Sequence, residues 1–323
     1  MTQDQQTLSH IRKWSLVAHL TRSHALSLSS WHYKKLSIFR LLTENLIVFI
    51  FQFIGLILTT TPAQPHIIWL ATGAATAFIF MRGSSILPGI CLGSFFAFFI
   101  ASGEITLALS CASILAIQSF SLFILAQGYI SPTLIFCRLN LFIRFALLAS
   151  SLTALTSLFF ILVCHNHLTI TNNITQLWIT WWLANFIAII TFAIAIISWD
   201  YYFAELDTFK PSNKRNLMLP FVLILFCTAI SGVSRLIPLT LLMAAINITT
   251  SFYVGRRLGW RGIVVANFIS VMCLVILGLT FTRSIADIIL LQLTVIAAAL
   301  TGYLAAYAPH LTLSYNILRL RKP

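Results

Sequence analysis

An all-α bundle of about ten transmembrane helices is the fold class this sequence predicts, on three observations. Hydrophobic residues make up 59% of the 323 positions and charged residues only 8%. A water-soluble fold needs about 25% charged residues to cover its surface. Second, the apolar residues fall into runs close to the roughly 20 needed to cross a bilayer as a helix. Third, the cations gather on alternate sides of those runs, as positive-inside orientation requires.

The elements follow in chain order. Residues 1–40 read as a basic cytoplasmic lead-in, with Trp14, Trp31 and Tyr33 set among Arg12, Lys13, Arg22, Lys34, Lys35 and Arg40. That mixture suits a segment lying on an anionic membrane surface, and equally a disordered basic tail. It lacks the compact apolar core of a secretory signal. Ten spans then follow at about 41–58, 66–81, 85–101, 105–126, 139–164, 175–199, 217–232, 236–253, 261–282 and 286–308. The second, third and seventh are short. Residues 41–308 thus form one membrane-embedded domain, and 309–323 a short basic cytoplasmic tail.

Ten spans with both ends cytoplasmic put eighteen of the twenty Lys and Arg inside, and only Arg235 and Arg283 outside. A span too many or too few would put every later loop on the wrong side. Reading two adjacent spans as re-entrant hairpins keeps the parity, so eight spans fits as well.

The net charge of +13 is spread through short inside clusters and forms no stripe, and no nucleic-acid reading module is visible. Nucleic acid is therefore not an expected partner; the lipid bilayer is. The six cysteines make no C-x-x-C pair and fall mostly in apolar runs, where a thiol acts as a small hydrophobe. The seven acids, Asp4, Glu44, Glu104, Asp200, Glu205, Asp207 and Asp287, lie near span ends or in loops. None forms an acid–base pair at depth. His165 and His167 share a loop without a third ligand. Neither an enzyme, a metal site nor a cofactor is expected.

Other residues carry more information. Arg144 lies five residues into the fifth span, where an intramembrane cation is a functional suspect, although a long arginine near a helix end can snorkel. Glu44 is placed to pair with Arg40, four residues away on a helix. Gly89 and Gly93 have G-x-x-x-G spacing, which lets helices approach closely; with Pro88 beside them, close packing is the default reading and a kinked helix pair lining a pocket the sharper one. Trp178, Trp181 and Trp182 stand at the outer end of the sixth span, the place of an interface anchor. Asn185, a turn deeper, needs a hydrogen-bonding partner away from lipid.

These motifs, in this order, resemble the type-1 membrane-associated sensor (MASE) domain family. The family has an early I-W-P-P-x-G segment, a G-R turn and a P-G-I-x-x-G segment. Here they are matched by Ile68-Trp69, Gly73, Arg82-Gly83 and Pro88-Gly89-Ile90-Cys91-Leu92-Gly93. Its W-x-x-W-W-x-G-D-x-x-G segment is similar to Trp178 through Ala188, and its R-x-G-x-R-G turn to Arg257 through Gly262. Leu291-Gln292-Leu293 resembles its last helix. The likeness covers residues 41–308. The chain departs where the family's double proline is Leu70-Ala71, its acidic residue is Asn185, and its following glycine is Ala188.

The resemblance implies a bacterial inner-membrane protein that binds a small ligand or senses the membrane. Family members usually end in a cytoplasmic output domain, and this sequence carries none. Signalling would then pass through a separate partner such as a kinase or a diguanylate cyclase. Trp69, Gly73, Pro88, Gly89, Gly93, Trp182 and Asn185 are the positions expected to shape a ligand pocket, with Arg144 as an added candidate. A transporter, or the substrate-binding membrane subunit of an uptake system, is the rival expectation. Met81-Arg82-Gly83 with Pro88-Gly89-Ile90 is faintly similar to Arg256-Arg257 with Arg261-Gly262-Ile263. Two matches this short do not establish a duplicated unit.

Overall fold

A computed structural model describes residues 38–57, 68–127, 139–167, 173–201, 215–233, 237–280 and 284–320. The lead-in through residue 37, Cys137, Arg138, Glu205, Asp207, Lys210, Lys214, Arg235, Arg283 and the last three residues lie outside the described residues. So do the side chains of His165, His167, Asp200, Arg215, Arg261 and Arg319. The described chain is all-helical.

The helices are α1 (Ile38–Ile57), α2 (Leu70–Arg82), α3 (Leu87–Ser102), α4 (Ile105–Gln127) and α5 (Leu139–His167). After them come α6 (Ile174–Ile187), a π-helical segment (Ala188–Ala193), α7 (Ile194–Tyr201), α8 (Arg215–Val233), α9 (Ile237–Thr280) and α10 (Ile285–Leu320). Seven stretches are long and apolar enough to cross a membrane; Leu219–Ser231 and Gly262–Ile276 are shorter apolar helices. Large apolar side chains face outward as well as inward. Leu46, Ile50 and Ile54 of α1, Leu109 and Ile117 of α4, and Val222 and Phe226 of α8 are exposed. Gln52, Thr72, Ser94, Asn185 and Asn247 are buried. Lipid is the solvent that rewards this arrangement.

Two long stretches are hairpins rather than rods. The stretch Leu70–Ser102 turns at Gly83, in a conformation (φ 76°, ψ −165°) open essentially to glycine alone. Gln52 of α1 reaches the Ala71 carbonyl, and Glu44 meets Arg82 at 3.6 Å, so α2 runs antiparallel to α1. A Cβ added at Gly89 would strike the Asn45 carbonyl, and one at Gly93 the Phe49 carbonyl, so α3 runs parallel to α1. Asn45 fixes the turn, accepting from the Gly89 N–H at 2.8 Å and donating to the Ser85 carbonyl at 3.0 Å. Helix α9 turns the same way at Gly259 (φ 64°, ψ −155°). Asn247 bonds Thr228 of α8, and Thr228 bonds Ser270, so the limbs 237–258 and 260–280 fold back side by side.

Caps set the other ends. Gly103 closes α3 in the left-handed region (φ 73°), its N–H on the Phe99 carbonyl at 2.8 Å. Asn173 caps α6 by accepting from the Thr175 N–H. Ser284 accepts from the Asp287 N–H and donates to its carboxylate, which caps the start of α10. Helix α10 runs to Leu320, beyond the boundary at 308 that hydropathy draws. The segment 174–198 is the hub: 72% of its most apolar window is buried, against 22% for α1.

Candidate functional site: a polar junction on the central helix

Helix α6 is bonded to its neighbours on several sides. Trp178 and Trp182 stack at 5.7 Å, and their indole N–H groups donate to the Ala154 and Ser150 carbonyls of α5 at 2.8 and 2.9 Å. Both rings are half-buried, so they clamp α6 to α5. Asn185, 3% exposed, is the centre. Its Oδ1 accepts a short hydrogen bond from the Thr72 hydroxyl of α2. Its Nδ2 donates to the Trp181 carbonyl at 2.8 Å and reaches the Ser157 hydroxyl of α5 at 3.5 Å.

The chain of polar groups continues. Thr156, beside Ser157, donates to Gln118 Oε1 of α4 at 2.7 Å. Helices α2, α4, α5 and α6 are therefore linked through neutral side chains within an apolar bundle. Three buried polar atoms in these helices have no hydrogen-bond partner: Thr76 Oγ1, Gln118 Nε2 and Trp181 Nε1. Each leaves a desolvation cost of about 1–3 kcal/mol unmet.

An aromatic box stands next to the junction. Trp69 lies 4.8 Å from Phe160 and 5.6 Å from Trp181, and Phe160 lies 4.4 Å from Trp181, all between ring centroids. The Trp69 backbone N–H donates to the Ala184 carbonyl at 3.3 Å. One turn along α2, Gly73 brings the backbone against α6. A Cβ there would sit 2.5 Å from the Ala188 oxygen, where the π-helical segment begins. π-segments loosen the regular backbone ladder and are frequent at functional sites. Here Tyr303 of α10 donates to the Ile190 carbonyl at 3.0 Å, and Gln292 donates to the Thr180 carbonyl at 2.9 Å.

The structure brings Trp69, Gly73, Trp182 and Asn185 to the central helix. Gly89 and Gly93 pack on α1 instead, and Pro88 and Arg144 are exposed. Sequence reasoning passed over Thr72, Gln118, Thr156 and Ser157, and took Trp181 only as an interface anchor. Gln118 carried a signal, as an amide deep in an apolar run. The junction residues offer hydrogen bonds and ring faces rather than proton transfer. Among the described residues no three His, Cys, Asp or Glu come together as metal ligands. Compared with protein-family models, curated proteins and solved structures, the chain matches none.

Proposed function

We propose that this chain is a multi-pass sensor-like module of a bacterial inner membrane, with ten spans and cytoplasmic ends. A small uncharged polar ligand binds at the Asn185 junction, and the resulting helix rearrangement passes to a separate kinase or diguanylate cyclase. The observation that carries this reading is the buried neutral junction, with unpartnered Gln118 Nε2, Trp181 Nε1 and Thr76 Oγ1, beside a π-helical segment. A ligand that meets those atoms in one helix arrangement and not another shifts the population between them. The motif order that resembles the MASE family supports the same reading, and the chain has no role as an enzyme within it. Counting both limbs at Gly83 and at Gly259, together with the short α8, supports ten spans.

A transporter or substrate-binding uptake subunit is the second reading. It is favoured by the two hairpins that turn at Gly83 and Gly259 with the same backbone geometry. Affinity purification of the tagged protein from native membranes in mild detergent, with mass spectrometry of its companions, separates the two. A kinase or cyclase in the complex supports the sensor. A transport ATPase, or solute uptake into vesicles without a partner, replaces it with transport.

A further inference from the structure

The hairpins at Gly83 and Gly259 share more than their turns. Glycine 259 follows glycine 83 by 176 residues, and the same interval separates the polar cores beside them. In the first core Gln52 Nε2 donates to the Ala71 carbonyl at 2.7 Å, and the Ser94 hydroxyl donates to Gln52 Oε1 at 3.4 Å. In the second, Asn247 Nδ2 donates to the Thr228 hydroxyl at 3.2 Å, and Thr228 donates to Ser270 at 3.4 Å. Positions 52, 71 and 94 become 228, 247 and 270 with no change of interval. Each core ties three helices together at equivalent points. The amide has moved from the first helix of the unit to the second, and a small residue has moved the other way.

The interval also reproduces which side faces in for the first, third and fourth helices of the unit, while α2 is buried on more sides than its counterpart. Val48 and Ile224 are both 1% exposed, and Ile100 and Ile276 are both 63% exposed. Gly55 and Ser231 are both buried small residues, and Leu115 and Leu291 are buried in α4 and α10. One inserted or deleted residue in any helix would rotate everything after it by about 100°. Identities are sparse: Ile54 and Ile230, Pro62 and Pro238, Ser94 and Ser270 are among the few. The register also differs from the faint sequence match, which set Arg261-Gly262-Ile263 against Pro88-Gly89-Ile90.

We propose that residues 42–126 and 218–302 are two copies of one four-helix unit, a tandem duplication with the 139–201 helices placed between them. Those helices form the seam. Gly73 of the first copy rests on Ala188 and Phe192. Val271, Leu274, Ile288 and Val295 of the second copy share an apolar cluster with the same two residues. The inference stands apart from the sensor reading and survives its failure.

Equivalent positions should accept each other's residues as a set. Gln52→Thr alone should lower the melting temperature of the full-length protein in detergent by roughly 2–4 °C, the size of one buried hydrogen bond. Ala71→Asn alone should lower it as well. The pair Gln52→Thr with Ala71→Asn, which copies the second core into the first, should melt above the lower of its two singles. The reciprocal pair, Thr228→Gln with Asn247→Ala, should do the same in the second core. Recovery in either core supports duplication. If both pairs melt no higher than their worse single, or fail to fold, the two units are not equivalent and the proposal is overturned.

Discussion

At the scale of single residues, Asn185 is the most demanding position in the bundle. Its amide joins α2, α5 and α6 in the buried interior. Asn185→Ala should destabilise the protein by about 1–3 kcal/mol, read as a lower melting temperature in detergent. Tyr303→Phe removes only a hydroxyl, the one on the Ile190 carbonyl, and should cost about 1 kcal/mol with little change in packing. Asn185 was legible in the sequence because an amide in an apolar run must find a partner. Thr72 and Ser157 were not, because such hydroxyls can bond a carbonyl of their own helix, as Thr180 and Thr191 do. Glu44 shows a related limit. Spacing offered Arg40 on its own helix and could not show that the fold also brings Arg82 from α2 to 3.6 Å.

At the scale of elements, two glycines with different duties give a paired test. Gly73→Ala forces a Cβ onto the Ala188 oxygen and should cost about 1–3 kcal/mol. Gly103→Ala meets nothing within 4 Å, but its φ of 73° should still cost about 1–2 kcal/mol. Melting temperature falls in both. Tryptophan emission should shift only in Gly73→Ala, because that side chain disturbs the helix carrying Trp181 and Trp182. Hydropathy located the helices well: the expected spans 105–126 and 139–164 lie within three residues of α4 and α5 at each end. It also broke the chain between 81 and 85 and between 253 and 261, and Gly83 and Gly259, where the chain reverses, lie in those gaps. It could not place Gly89 and Gly93 against α1, because G-x-x-x-G spacing predicts close approach without naming the partner.

At the scale of the whole molecule, the ten-span reading makes a topological prediction. Ser84→Cys and Arg256→Cys, exposed near the two hairpin turns, should react with a membrane-impermeant thiol reagent only from the cytoplasmic side. Glu104→Cys and Ser284→Cys, at the starts of α4 and α10, should react only from the opposite side. Labelling of all four from one side would refute the ten-span topology. The bundle class was legible because composition acts through the solvent, residue by residue. The junction and the paired cores were not. They depend on which buried faces meet, and uniformly apolar helices give no facing signal.

The 176-residue interval bears on how the protein is made. On the ten-span reading, one copy and the intervening helices together cross the membrane six times. An even number returns the nascent chain to the compartment from which it set out. The insertion machinery therefore meets the second copy in the same orientation as the first, with Arg82 and later Arg256 and Arg257 retained on the ribosome's side. An intervening segment with one crossing more or fewer would have presented the later unit upside down, its arginines demanding translocation. The later unit keeps the orientation of the earlier one because the material between the copies comes in a pair.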